Sequence, residues 1–262
     1  VSAAGDTRAG TDAQESARAS RAGDGPPGAH WQHSELVELF LDNRQALLPL
    51  IDVQEEIVRR AFDQHQHELT RFLDVGSGNG AVSELLLTGA PDREAVLVDF
   101  SEPMLARANS RLAGCGRWQG VRGDLADPAW RAELPAGLFS GAVSSLAIHH
   151  LPAERKRSLY AEICELLEPG AMFVNMDYTA IAGPLRGLWD ERILDNHVRV
   201  ECTHGGTRSK EEIAREITSD SDADRPDTVE HQLQWLREAG FVDVETHFKW
   251  AEAAIFGGVR PS

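Results

Sequence analysis

From Arg71 onward the chain alternates short apolar runs with stretches of helical spacing, and few folds accept that alternation. The runs are RFLDV (71–75), AVLVDF (95–100), WQGVRGD (118–124), FSGAVSSL (139–146) and AMFVNMDY (171–178). Helices are predicted after Gly80, at Ser101, near Asp127 and at Pro152, where Leu159, Ile163, Leu166 and Leu167 form a buried stripe that EPG (168–170) ends. Strands alternating with helices imply βαβ units and a parallel sheet, hence an α/β, doubly wound fold. Near the end, FVDVETHF and AAIFGGV read as two strands with a short connection, an antiparallel pair.

The flanks read differently. Residues 1–29 contain almost no large apolar side chain, so they are expected as a disordered tail. Residues 30–68 read as an N-terminal helical cap of two helices split near Pro49. Over about 178–227 the alternation lapses, and this stretch reads as an insertion within a domain spanning 69–262. SKEE (209–212) and DTVE (227–230) each fit a capping box opening a helix. Insertions over such sheets often cover the ligand.

In open α/β sheets, ligands bind beyond the carboxyl ends of the strands. There the chain reads DVGSGNGA. Glycines let a ligand approach the backbone, and the next helix offers free N–H groups at its start. Gly76, Gly78 and Ala81 formally match G-x-G-x-x-G/A, which a dinucleotide also uses. Three carboxylates separate the readings. Asp74, just before the glycines, opposes a pyrophosphate and suits an ammonium or sulfonium charge. Asp99 can accept from both ribose hydroxyls, as in nicotinamide sites also. Asp124 can accept from an adenine amino group, with the Leu125 N–H meeting a ring nitrogen.

With those residues in place, the chain resembles the class I S-adenosylmethionine-dependent methyltransferases of small-molecule type. LDVGSGNG, VLVDFSEPMLARA, VRGDLAD, AVSSLAIHHL and LLEPGAMFV carry the resemblance, in that order, and WLREAGFVDVETHFKWAEAAIFGG looks like a family C-terminus. The family implies a seven-stranded, mostly parallel sheet with one antiparallel strand near the C-terminus, and S-adenosyl-L-methionine as cofactor, leaving S-adenosyl-L-homocysteine. It implies that Asp74, Gly76, Ser77 and Gly78 line the methionine part and that Asp99 holds the ribose. Phe100 and Met104 would flank the adenine, Asp124 and Leu125 would read its edge, and Ser144 and Ser145 would lie beside the cofactor. RQALLPLID is similar to a stretch that covers the cofactor in some members, which would face Arg44 to the methionine carboxylate.

For the acceptor, His149 and His150 follow the fourth strand, and either can serve as general base or shape the loop. Successive side chains at a strand end diverge, so one of the two is expected in the pocket. Tyr178 ends the fifth strand, and Trp189, Arg192 and His197 lie in the insertion as substrate contacts or as a plain amphipathic helix. Cys202 and His204 are two potential ligands, which do not make a site, so no metal is expected. His65 and His67 read as an exposed helix, RKR (155–157) as a solvated helix face, and Trp235 and Trp250 as core.

The balance of 26 basic against 42 acidic residues, net −16, repels a polyanion, so a small molecule is expected as partner rather than nucleic acid. No apolar run approaches a membrane span, the N-terminus lacks an apolar signal core, and three scattered cysteines form no framework; a cytoplasmic setting follows, with a homodimer as the default assembly. The expected activity is methyl transfer to an oxygen or nitrogen of a small molecule, for instance a secondary metabolite. The alternatives are an enzyme that uses the same cofactor for a different reaction, such as modified-cofactor synthesis, a nicotinamide-dependent oxidoreductase, and a non-catalytic binding protein.

Overall fold

The computed structural model describes residues 48, 50–203 and 205–262. The tail, the first cap helix with Arg44, Pro49 and His204 lie outside the described residues. The elements are α1 (Ile51–Gln64), β1 (Arg71–Val75), α2 (Ala81–Leu87), β2 (Glu94–Asp99), α3 (Glu102–Arg111), β3 (Arg117–Arg122), β4 (Phe139–Ser145), α4 (Ala153–Leu166), β5 (Leu167–Tyr178), α5 (Arg186–Thr203), α6 (Lys210–Ala223), α7 (Val229–Glu238), β6 (Val242–Trp250) and β7 (Ala253–Val259).

The strands form one seven-stranded sheet in the order β3-β2-β1-β4-β5-β7-β6. β1 to β5 pair in parallel, while β7 runs antiparallel to both β5 and β6. This is the doubly wound architecture that the sequence predicts. The alternation of side chains along each strand feeds two core layers. Leu73, Val75, Val96 and Val98 pack with Leu159 and Ile163 of α4 and Leu236 of α7. Phe72, Leu97 and Val143 pack on the opposite face with Val58 and Phe62 of α1, Leu86 of α2 and Ala108 of α3. Strands covered on both faces must be apolar almost throughout, which is why the runs are so legible.

Several local readings change. The helix near Asp127 is only a 3-10 turn, Pro128–Arg131, whose Trp130 is buried and donates its indole N–H to Glu162 at 2.6 Å. Pro152 is the N-cap of α4, one residue before its first turn. RKR is not a solvated face: Lys156 is fully buried, its ammonium 2.7 Å from Asp227. Asp227 is therefore engaged, and the cap of α7 is Thr228, whose hydroxyl accepts from the His231 N–H. Ser209 and Glu212 form the predicted capping box of α6. His65 and His67 lie beyond the end of α1 and reach the start of β5, Nε2 of His65 at 2.8 Å from the Gly170 carbonyl and that of His67 at 2.9 Å from Glu168. No helix among the described residues is long and apolar enough to cross a membrane.

Candidate active site

The register sets the strand ends side by side: Val75 pairs with Val98 and Ser144, Asp99 with Arg122, Ser145 with Met176, and Tyr178 with Ala253. The loops after β1 to β5 and the β6–β7 turn thus share one edge, the expected position for a ligand.

The first half is built on the β1–α2 turn. Gly76, Gly78 and Gly80 all have positive φ, and a Cβ on Gly76 would lie 2.3 Å from Cβ of Ala147. A side chain at 76 would wedge the turn off the β4 loop. Gly78 differs, because its Cβ would meet nothing nearer than Met104 Sδ at 4.0 Å. Asp99 fixes the turn from below. One carboxylate oxygen accepts from the Gly78 N–H and the other from the Ser101 N–H, each at 2.8 Å. Burial pushes this carboxyl up, and those backbone N–H groups oppose the shift.

Asp74 is buried beneath the turn. The Ser83 hydroxyl donates to its Oδ2 at 2.6 Å, but Oδ1 is buried with no hydrogen-bond partner. Burial pushes its carboxyl up to about 7, the Ser83 bond pulls it down and the Asp99 charge adds to the rise. The Ser77 hydroxyl, in the same turn, is likewise buried and unpartnered. Two orphaned polar atoms at a glycine turn fit a ligand that brings a cation and a hydrogen-bonding group. Phe100 is half-buried, Met104 is buried at the start of α3, Asp124 is exposed with Oδ1 accepting from the Ala126 N–H, and Leu125 is buried. Ser144 is turned into the sheet, where its hydroxyl donates to the Val75 carbonyl at 2.7 Å, which leaves only the half-buried Ser145 at the edge.

The second half follows β4. Leu146 takes a left-handed φ of 52°, unusual for a leucine, and its N–H donates to the Met176 carbonyl. The chain then turns through Ile148–His150. The two histidines do not diverge, because they sit on this turn rather than on an extended strand; their ring centroids are 3.9 Å apart. Nδ1 of His149 is 2.5 Å from Oδ1 of Asp177, and its backbone N–H donates to Oδ2 of the same carboxylate. Nε2 of His149 and Nδ1 of His150 lie 3.5 and 2.8 Å from Oδ1 of Asp224. Burial works against a charged ring on His149, but Asp177 and then Asp224 outweigh it and push the ring up to about 10. His150 goes down, from burial first and from the His149 charge second.

Around this pair stand Tyr178, whose ring meets His149 edge-on at 5.5 Å, and Glu252 in the β6–β7 turn, pushed up to about 7 chiefly by burial. Trp189 of α5 packs edge-on against Trp250 at 5.7 Å, so the insertion touches the sheet end. Arg192 is exposed on α5. The residues that sequence reasoning missed are Ser83, Asp177, Asp224 and Glu252. Asp177 had a signal, a carboxylate inside a buried strand two residues from Asn175; Asp224, in the insertion, had none.

Residues 72–170 match a family described as a methyltransferase domain. Residues 72–170 are thus a methyltransferase domain, and the relatives support the class I S-adenosylmethionine-dependent type. The match separates this glycine turn from those of nicotinamide-dependent oxidoreductases. A carboxy-S-adenosyl-L-methionine synthase of Chromohalobacter salexigens is 28% identical over 69% of this chain and 65% of its own. A demethylmenaquinone methyltransferase of Clavibacter sepedonicus is 29% identical over 73% of this chain and 74% of its own. Among solved structures, an O-methyltransferase family protein of Burkholderia thailandensis aligns over 87% of this chain with a TM-score of 0.60 at 14% identity. Human N-acetylserotonin methyltransferase, in complex with its cofactor, aligns over 90% with a TM-score of 0.55 at 16% identity. This chain spans 59% and 57% of those two chains, and 65% of the synthase.

Proposed function

We propose that the protein binds S-adenosyl-L-methionine at the β1–α2 turn and transfers its methyl group to an oxygen or nitrogen of a small molecule. The observation that carries this reading is the buried, unpartnered Oδ1 of Asp74 beneath an open glycine turn. When bound, the cofactor supplies a sulfonium methyl carbon open to in-line displacement. Asp74 and Ser77 then receive the methionine end, and the cofactor's ammonium compensates the buried carboxylate. Asp99, immobilised by two backbone N–H groups, keeps lone pairs for the ribose hydroxyls. Phe100 and Met104 flank the adenine, Asp124 and the Leu125 N–H read its edge, and Ser145 borders the sulfur end. Arg44 is assigned to the methionine carboxylate.

The acceptor end is formed by His149, His150 and Tyr178, with Trp189 and Arg192 offered by α5. The carboxylates of Asp177, Asp224 and Glu252 favour an acceptor bearing amine or hydroxyl donors over one bearing a carboxylate. For that reason methylation is preferred to the reaction named in the Chromohalobacter relative, whose product carries an added carboxyl group. His149 is read as a positioning group, since carboxylates hold its ring from both sides. The insertion over 178–227 closes the site against water. The reaction is thus positioning of two reactants, the main resource for displacement at an activated methyl.

Calorimetric titration with S-adenosyl-L-methionine, S-adenosyl-L-homocysteine and nicotinamide dinucleotide tests the cofactor assignment. The two sulfur compounds are expected to bind and the dinucleotide not. Asp99→Ala is expected to weaken the former by about 1.5–3 kcal/mol. Binding of the dinucleotide alone, or an unchanged affinity in Asp99→Ala, refutes it. A labelled-methyl screen over amines and phenols then seeks the acceptor.

A further inference from the structure

The histidine pair and Asp224 are arranged as more than an ion pair. Among the described residues they are the one group of three whose ligand-capable atoms all lie within 4.8 Å of one another. Nε2 of His149 and Nδ1 of His150 converge on a single carboxylate oxygen, at 3.5 and 2.8 Å. Bonds of about 2.1 Å from a common ion place cis ligand atoms about 3.0–3.4 Å apart, a range that the separations of 3.5 and 2.8 Å bracket, so small side-chain shifts complete a metal's ligand set. The ligands come from two segments held together by the backbone, since the Arg225 N–H donates to the His149 carbonyl at 3.0 Å.

The second independent observation is Asp177. Its carboxylate takes Nδ1 of His149 at 2.5 Å and the His149 backbone N–H at 3.0 Å. Metal-bound histidines characteristically donate their other ring N–H to a carboxylate, which fixes the tautomer and aims the lone pair of the far nitrogen. Here the far nitrogen, Nε2, is the one that faces Asp224 and His150. Both histidines are buried, whereas the Asp224 side chain is about one quarter exposed, so the site is open on one side.

We propose that His149, His150 and Asp224 bind one divalent transition-metal ion at the acceptor end of the site. Two imidazoles and one carboxylate suit zinc, ferrous iron or cobalt and not calcium or magnesium, which take oxygen ligands. Three protein ligands leave coordination positions open on the exposed side, where an oxygen or nitrogen of a small molecule can bind. The proposal stands apart from the methyl-transfer reading, because metal binding requires neither cofactor nor acceptor.

The test titrates the metal-stripped full chain with Co²⁺, followed by visible absorption and by metal analysis after desalting, then by competition with Zn²⁺. One equivalent is expected, with ligand-field bands that Zn²⁺ abolishes. Asp224→Ala and His150→Ala are each expected to reduce affinity at least tenfold, while His67→Ala, at a histidine–carboxylate pair at the amino edge, leaves it unchanged. Circular dichroism and unfolding midpoints identify any variant that fails to fold; Asp224, the least buried ligand, keeps the test decisive. Absence of binding to the wild type, or binding that survives both Asp224→Ala and His150→Ala, overturns the proposal.

Discussion

Replacing Asp74 with asparagine should stabilise the protein while weakening its cofactor site. A carboxyl raised from 3.8 to about 7 by burial holds its proton in the native state over a range where the unfolded chain has lost it. The native state therefore binds more protons between pH 4 and 7, and stability falls as pH rises through that window. Each tenfold difference in proton affinity between the two states corresponds to about 1.4 kcal/mol, so the deficit above pH 7 reaches about 4 kcal/mol at most. Asparagine has the same shape, keeps an oxygen for the Ser83 hydroxyl and carries no charge beside Asp99. Its own buried N–H₂ group offsets part of the gain, which leaves an expected stabilisation of about 1–3 kcal/mol at pH 8. Urea unfolding of the ligand-free proteins at pH 4.5, 6 and 8 measures it. The difference should move in the variant's favour by about 3 kcal/mol between pH 4.5 and 8, with the variant the less stable of the two at the lowest pH, and level off above about pH 7.

The cofactor reverses the sign. A cation placed against Asp74 favours the ionised form, so binding to the wild type below pH 7 should release protons, and affinity should rise with pH and level off above about 7. Calorimetry in two buffers of different ionisation enthalpy counts those protons. Asp74→Asn should release fewer and bind at least tenfold more weakly. A variant less stable than wild type at pH 8, or a stability difference independent of pH, refutes the burial argument. Unchanged affinity and proton release refute the assignment of the ammonium to this carboxylate.

The glycine turn gives a paired expectation. Gly76→Ala combines a positive φ with a Cβ 2.3 Å from Ala147, and should destabilise by about 2–4 kcal/mol in thermal or urea unfolding. Gly78→Ala meets open space, so it should cost about 1–2 kcal/mol of stability, with its larger effect on cofactor affinity; equal stability losses in the two would contradict the packing at Ala147. Lys156→Ala leaves Asp227 without its cation and removes the tie to the Arg225 carbonyl. About 2–4 kcal/mol should be lost, with the 224–227 segment gaining amide exchange first; a loss below about 1 kcal/mol would show the pair to be dispensable.

The parts of the fold legible in the sequence are those where burial on both faces leaves no choice of residue. β1, β2, β4 and β5 are visible as apolar runs, whereas the edge strand β3, RWQGVR, is mostly exposed and is read from its place in the alternation; the caps at Ser101 and Ser209 are visible as a hydroxyl ahead of a helix. The first half of the site is readable because one contiguous loop, residues 74–78, carries most of it and Asp99 lies at the next strand's end. The second half is not, since it is made by distant segments: the side chains of Asp177 and Asp224 meet at the ring of His149. Lys156 escapes sequence reasoning for a related reason. Its local pattern, RKR on a helix, is polar, and only the tertiary partner Asp227 makes burial tolerable.

The two buried strand-end carboxylates, Asp74 and Asp177, show how the halves of the site differ. Each lies near the end of a parallel strand where apolar neighbours make a charge expensive. Asp177 is compensated inside the chain by the His149 ring, its backbone N–H and the Tyr178 N–H. Asp74 has only Ser83, and one oxygen is left over. A carboxylate satisfied by the protein is a fixed support whose effect reaches a ligand through the histidine it holds. One left unsatisfied is a binding group whose compensation must come from outside. On the proposed assignment, the acceptor end is therefore preformed and the cofactor end completes itself on binding. Ligand-induced protection from amide exchange should accordingly concentrate in residues 74–84 and leave 148–150 nearly unchanged; equal protection of both segments by S-adenosyl-L-homocysteine would contradict this division.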